Sequence, residues 1–222
     1  MFARDEEYKG PQGSRAGFTT QTPSLRDGRV FTFHNLYTLD AFAIIDADTD
    51  VVAFEQNFAA PGLTEVVDGA DDDLTTMAFR TLDVARQRKI IDVIDFPEIS
   101  KARAYRYLEL LAQRDTLGFD RLDIWIGADL RASQAYRNAQ IIRRALHPGR
   151  YQLPEGVADA VLTALRAAGG PTALGWLKAR PGLGDRPEAA IFTLALSQRL
   201  RFVDKTKPID DAFALALPGE AT

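Results

Sequence analysis

Residues 74–95 read LTTMAFRTLDVARQRKIIDVID. A strand is expected at about Leu74 to Thr81, after the acidic loop. LDVARQRK then supplies a polar hairpin connection, and Lys89 to Asp95 carries Ile90, Ile91, Val93 and Ile94 as an almost continuous apolar run. A run of that kind is what a central strand buried on both faces requires. Pro97 stops it, because proline has no N–H to give a ladder.

Working outward, Arg29 to Phe33 is short and extended. Asn35 is positioned to cap a helix reaching about Ile45, with Leu36, Leu39, Phe42 and Ala43 at helical spacing. Val51 to Phe58 reads as a strand between the acidic turn 46–50 and Pro61-Gly62. Downstream, Ser100 to Gln113 predicts an amphipathic helix with Ala104, Tyr107, Leu108 and Leu111 on one face and Gly118 just beyond its end. FDRLDIWI (119–126) alternates at Leu122, Ile124 and Ile126 as a strand does, and Asp129 to Ala145 is helical again. Helix, three strands, helix, strand, helix predicts an α/β layer with a mixed sheet, over residues 29–146.

HPGRYQLP (147–154) has the composition of a linker, and the pattern changes after it. Glu155 to Ala168 is a helix closed by Gly169-Gly170, Pro171 to Arg180 a second and Pro187 to Leu200 a third. Two short strands around Lys205-Thr206-Lys207-Pro208 follow. Three helices and a β-hairpin over 155–217 predict a small winged-helix-like domain, whose third helix usually lies in the major groove, although three-helix protein-binding modules share this sequence pattern. Residues 1–28, rich in Gly and Pro with little apolar periodicity, read as a flexible N-terminal arm.

With 222 residues and 46% hydrophobic content, the chain has enough apolar surface for two cores. No apolar run approaches the ~20 residues of a membrane span, and the N-terminus lacks the apolar stretch of a secretory signal. The absence of cysteine excludes disulfides, thiolate zinc sites and a cysteine nucleophile. A cytoplasmic protein with no membrane partner is expected. A net charge of −4 argues against nonspecific coating of nucleic acid. The charge is nevertheless segregated, acidic at 46–50 and 68–73, basic at 86–89, 131–150 and 199–207, which permits a local basic face.

His34 and His147, the only histidines, lie in different segments and support neither a histidine metal site nor a Ser-His-Asp triad. Asp71-Asp72-Asp73 lacks the glycine and distal glutamate of an EF-hand loop, and PGLGD (181–185) is a turn rather than a phosphate loop. Trp125 and Trp176 fall within apolar elements and read as core or interface anchors.

Several segments together resemble the TnsA-type endonuclease subunits of heteromeric transposases. Asn35 to Phe54, with Gln56, is similar to that family's opening helix and strand, and Leu74 to Ile94 to its catalytic hairpin. FDRLDIWIGADLRASQAYRNAQIIRRAL (119–146) is similar to its later strand and Arg-Asn-Ala segment, and LRFVDKTKPIDDAFAL to the end of its winged-helix domain. The likeness spans roughly residues 30–215 as scattered positions. It implies a restriction-endonuclease-like mixed sheet flanked by helices, plus a winged-helix-like C-terminal domain.

The same resemblance implies a divalent metal site built from a helix glutamate, a Pro-Asp aspartate and a Glu/Gln-x-Lys. Carried over by position, the glutamate falls at Thr38, the Pro-Asp at Thr75-Thr76, and the last motif at Asp92-Val93-Ile94. Only Asp92 keeps a metal-capable group, so the catalytic motif is degenerate at Thr38, Thr76, Asp92 and Ile94, and neither catalysis nor a cofactor is expected. The weak metal candidates are Asp92, Asp95 and Glu98, with Lys101 close to them in sequence and Asp40 two residues beyond Thr38. Asp92 and Asp95 point to opposite faces of a regular strand, which opposes convergence. DNA contact is assigned to Arg143, Arg144, Arg150, Arg186, Gln198, Arg199, Arg201, Lys205 and Lys207.

The expectation is thus a TnsA-like pseudonuclease, a component of a mobile-element complex whose partners are DNA and a transposase or other protein subunit. The alternatives are an active Mg²⁺-dependent endonuclease with a relocated site, and a repurposed assembly protein of a phage or defence complex with protein contacts alone.

Overall fold

The structure is a computed structural model that describes residues 19–59, 76–95, 97–99, 101–146 and 152–219. Among these residues the protein is a mixed α/β fold that separates into two compact units. Counting described residues only, the first comprises 19–21, 31–42 and those within 51–131, and the second 22–30, 43–50 and those within 132–219. The division at 131/132 falls ahead of the 147–154 segment expected as a linker, of which 147–151 lie outside the described residues.

The centre of the first unit is a four-stranded sheet in the order β3 (Val51–Ala59), β4 (Thr76–Asp83), β5 (Arg88–Ile94), β6 (Arg121–Ile126). β3, β4 and β5 are antiparallel neighbours, whereas β6 lies parallel to β5, with Ile90 opposite Leu122 and Ile94 opposite Ile126. A parallel neighbour needs a crossover, and α2 (Lys101–Ala112) with α3 (Arg114–Leu117) provides it. The β4–β5 hairpin turns where Arg86 takes a positive φ of 65° and the Gln87 N–H donates to Asp83 Oδ1 at 2.9 Å. β5 is buried as its apolar run demands: Ile90 is 0% and Ile91 4% exposed. Met77, Ile90, Tyr107, Leu110 and Phe119 form one core cluster, with Leu117 and Leu122 packed against it.

Two short strands, β1 (Thr20–Pro23) and β2 (Val30–Phe33), pair with each other. α1 (Leu36–Ala47) follows, capped as expected, with Asn35 Oδ1 accepting from the Tyr37 and Thr38 N–H groups at 2.7 and 3.3 Å. Residues 41–47 are all buried, the state of a helix apolar all round. Phe42 stacks with Phe31, Phe33 and Phe54 at centroid distances of 5.2, 4.9 and 5.7 Å, which closes the first core.

Three sequence expectations change. The flexible arm expected over 1–28 is ordered in its last part, where β1 pairs with β2 and Ser24 is 1% exposed. The helix expected over Asp129 to Ala145 is two, α4 (Gly127–Leu130) and α5 (Gln134–Leu146), because Ser133 Oγ accepts from the Tyr136 N–H and starts the second helix afresh. The face expected to be buried on α2 is largely the wrong one. Tyr107 and Leu110 are buried, at 6% and 0%, whereas Ala104, Leu108 and Leu111 are exposed.

The second unit carries α5, α6 (Val157–Ala168), α7 (Leu174–Lys178) and α8 (Pro187–Leu196). Beside them lies a small antiparallel sheet, in the order β7 (Thr172–Ala173), β9 (Ala214–Ala216), β8 (Arg201–Phe202). α6 ends at Gly169, whose left-handed conformation lets its N–H reach Leu165 O. α8 packs against both α5 and α6.

Gly127, at the junction of β6 and α4, faces Tyr37: a Cβ there would stand 2.3 Å from Tyr37 Cγ. Gly127→Ala is expected to cost about 1–3 kcal/mol through overpacking, read as a lowered midpoint in urea denaturation.

Candidate functional site

The position matched to the nuclease motif lies on β5, where Asp92 is 2% exposed. α2 brings Arg103 and Tyr107, one turn apart, over it. Asp92 Oδ2 accepts from Arg103 Nε at 2.9 Å and from the Tyr107 hydroxyl at 2.6 Å. Its Oδ1 accepts from the Val93 N–H at 3.0 Å and from Arg103 Nη2 at 3.4 Å. Both oxygens are therefore engaged. Burial opposes the Arg103 charge, but Asp92 outweighs it and holds the guanidinium above its ordinary pKa. Burial, and then the Asp92 charge, pushes the Tyr107 hydroxyl up, so it stays a neutral donor.

Asp40, a candidate for a relocated site, is 3% exposed and is likewise taken, by Arg131 Nε at 2.6 Å and Nη2 at 3.4 Å. A hard divalent cation collects several oxygens, often with waters, and these two carboxylates already carry a guanidinium each. Ile94 is buried at 5% and offers no ligand. Thr38 is half-buried on α1, Thr76 opens β4, and Glu98 is exposed beyond β5. Among the described residues no group of three or more His, Asp or Glu side chains is placed to hold a metal ion. As placed here, Asp92 and Asp40 each face a guanidinium rather than an open coordination position. Thr75, Asp71 to Asp73, His147 and Arg150 lie outside the described residues.

Asp95 stands apart. It is 3% exposed, its Oδ2 is buried without a hydrogen-bond partner, and burial pushes its carboxyl up to about 6 against the pull of Arg103.

The residues assigned to DNA contact divide by partner. Arg143, its side chain 13% exposed, donates through Nη1 to Asp46 Oδ2 at 2.6 Å and through Nη2 to Thr22 Oγ1 at 2.8 Å. Asp46 also accepts from Ser24 Oγ at 2.6 Å and from the Leu25 N–H at 2.9 Å. Burial pushes the Asp46 carboxyl up, against those donors and Arg143. Lys205 Nζ sits 2.7 Å from Asp48 and 2.6 Å from Asp50; burial opposes its charge, and the carboxylates prevail and raise its pKa. Gln198 Nε2 donates to Thr49 O at 2.6 Å, and Arg201 is half-buried on β8. Arg144, Arg186, Arg199 and Lys207 are exposed. Arg186 Nη2 donates to Ala145 O, and Arg199 and Lys207 approach Asp159 and Asp204 only at 3.9 Å.

Asn138 has a role that sequence reasoning missed. It is 6% exposed, its Nδ2 donates to Lys207 O at 2.8 Å and Lys205 O at 3.2 Å, and its Oδ1 accepts from the Ile209 N–H at 3.1 Å. The Arg-Asn-Ala segment thus clamps the Lys-Thr-Lys-Pro turn. Arg103 and Tyr107 were missed as well, although their spacing of four on a helix next to β5 was a usable signal. Arg131, 91 residues from Asp40, left none.

α8 is enclosed. Residues 189–192 and 194–196 are buried, and the helix contains no basic residue. Trp176 is 39% exposed, with the Arg180 guanidinium 3.5 Å from its ring centroid. No helix among the described residues is long and apolar enough to cross a membrane. No protein-family model matches the chain, and no curated protein matches its sequence.

Two outcomes follow from these pairings. Arg143→Ala strands the buried Asp46 charge and is expected to cost about 3–5 kcal/mol, while Arg144→Ala stays within about 0.5 kcal/mol; urea denaturation separates them. For Asp95, the folded state holds its proton more tightly than the unfolded chain. The penalty for ionising it is therefore absent below about pH 4, grows as pH rises and is complete above about pH 6. Asp95→Asn should match the wild type at pH 4 and exceed it at pH 8 by about 1–2 kcal/mol, after discounting for solvent, in denaturation at the two pH values.

Proposed function

We propose that this protein is a TnsA-like pseudonuclease, a binding component of a mobile-element DNA complex that contributes architecture and not strand cleavage. The observation that carries this reading is Asp92: the one metal-capable group at the degenerate motif is bound on both oxygens by Arg103, Tyr107 and its own strand. A carboxylate spent on an ion pair is not free to hold a cation or activate water.

The topology supports the restriction-endonuclease-like part of the reading. An antiparallel hairpin followed by a helical crossover to a parallel strand, in the order β3-β4-β5-β6, is the arrangement that the resemblance implies. In the second unit, three helices with a β7-β9-β8 sheet support a winged-helix-like domain.

That domain would meet DNA in an unusual way. α8, the third of those helices, has no exposed basic side chain to read a groove, so contact falls to Arg144, Arg186, Arg199 and Lys207. The enclosure of α8 also favours a second reading, an assembly role through protein contacts alone.

Labelled duplex DNA, incubated with the protein and with Mg²⁺ or Mn²⁺ against EDTA, tests both. The expected result is salt-sensitive retardation without nicking, with Arg199→Ala/Lys207→Ala weakening binding and reducing the log–log salt slope by about 2. Metal-dependent nicking that disappears in Asp92→Ala overturns the proposal. Neither retardation nor nicking moves the assignment to protein-only assembly.

A further inference from the structure

The second unit holds a cavity of about 280 Å³ whose walls all belong to that unit. Its apolar lining comes from Ile44 and Ala47 on α1, Ala139 and Ile142 on α5, and Phe202 on β8. Three of the lining residues, Ala47, Ala135 and Ala139, are alanines, and they leave space that longer side chains fill in a closed core. Ala135 and Thr206, both exposed, bring the cavity to the surface. Asn138 lines it and holds Lys205 O and Lys207 O through Nδ2, which fixes the neighbouring turn, so the cavity is preformed.

Size, rim charge and one unmatched hydroxyl define what fits. An apolar cavity of roughly 150 Å³ encloses one benzene ring, so this larger space accommodates a two-ring aromatic molecule. At the rim Lys205 Nζ stands 2.7 Å from Asp48 and 2.6 Å from Asp50, two carboxylates against one ammonium, which disfavours an anion. Thr49, also in the lining, is 4% exposed and its Oγ1 has no hydrogen-bond partner. Asn138 competes little for a ligand, because its Oδ1 already accepts from Gln134 Nε2 and the Ile209 N–H. An N–H donor on the ligand is therefore matched by an acceptor that burial has left unsatisfied. We propose that this cavity binds a small two-ring aromatic molecule with a ring N–H and no negative charge, of which indole is the simplest example. Among the described residues none of the exposed large apolar side chains lines the cavity, so it lacks the surrounding apolar patch with which a protein partner anchors. A base presented by nucleic acid brings phosphate to the acidic rim. The site rests on the second unit alone and stands whether or not the protein binds DNA.

Amide chemical-shift titration of the full chain with indole tests the proposal, with a dissociation constant of about 10–500 µM expected. Indole-3-acetate, which adds a carboxylate to the same ring, is expected to bind at least ~tenfold more weakly. Thr49→Val weakens indole about tenfold and leaves benzofuran, which has no N–H, within about twofold. Ala139→Leu fills the cavity and raises the dissociation constant for indole at least ~30-fold, and Ala135→Leu, at the exposed mouth, raises it about tenfold. The second of these keeps the test decisive if Ala139→Leu fails to fold. No saturable shifts below about 2 mM indole, indole-3-acetate as tight as indole, a Thr49→Val effect equal on both rings, or indole binding indifferent to both alanine variants overturns the proposal. Tighter binding of N-acetyltryptophan amide than of indole overturns it as well, and assigns the cavity to a side chain of a protein partner.

Discussion

A carboxylate taken out of water must be neutralised, and three aspartates of this protein meet that requirement in the same way. Asp40, Asp46 and Asp92 are 3%, 0% and 2% exposed, and each is held by one arginine, Arg131, Arg143 and Arg103 respectively. The isolated charges would each cost several kcal/mol, far more than a marginally stable fold tolerates. Two of the pairs, Asp40–Arg131 and Asp46–Arg143, join segments 91 and 97 residues apart and act as long-range constraints on chain path, whereas Asp92–Arg103 ties β5 to the helix that follows it. Asp46 extends this furthest, because Ser24, Leu25 and Arg143 all converge on it and Arg143 passes on to Thr22.

The same constraint governs what the candidate site can do. A nuclease needs its carboxylates available to a cation and to water. Here Asp92 and Asp40 are each held by a guanidinium, and Asp92 belongs to a hydrogen-bond network with Arg103 and Tyr107. Asp95 is the one acidic group near it with a buried oxygen left unmatched, and its raised pKa is the electrostatic consequence of burial without a full partner. In the second unit the basic residues follow the same logic. Arg143 and Lys205 balance carboxylates of their own unit, and the positive charge open to solvent is carried by side chains such as Arg144, Arg199 and Lys207.

Helices add a second theme. α1 and α8 are apolar around most of their circumference and are enclosed accordingly, α1 over 41–47 and α8 over 189–196 apart from Thr193. α2 is apolar on two sides but enclosed on one. Apolar content alone therefore does not say whether a helix is central or peripheral; the surrounding elements decide how many of its sides are covered.

Much of the fold was legible from residues 74–95 outward. Period-two alternation, an apolar run, an Asn cap and a Gly stop are local signals, and they located the hairpin, the central strand, the capped helix α1 and the end of α6 to within a residue or two. Local signals could not say which side of α2 turns inward, since Tyr107 and Leu108 are adjacent and both apolar, nor that Ser133 would break the helix expected from Asp129. The residue types at Thr38, Thr76, Asp92 and Ile94, the motif positions that the resemblance implies, were readable directly. The partners of Asp40 and Asp46 were not, because Arg131 and Arg143 lie 91 and 97 residues away. The sequence by itself determined the elements and their order, since each depends on neighbours along the chain. Tertiary structure alone decided which charges are spent internally and which remain at the surface, because a buried charge is stabilised by what is near it in space.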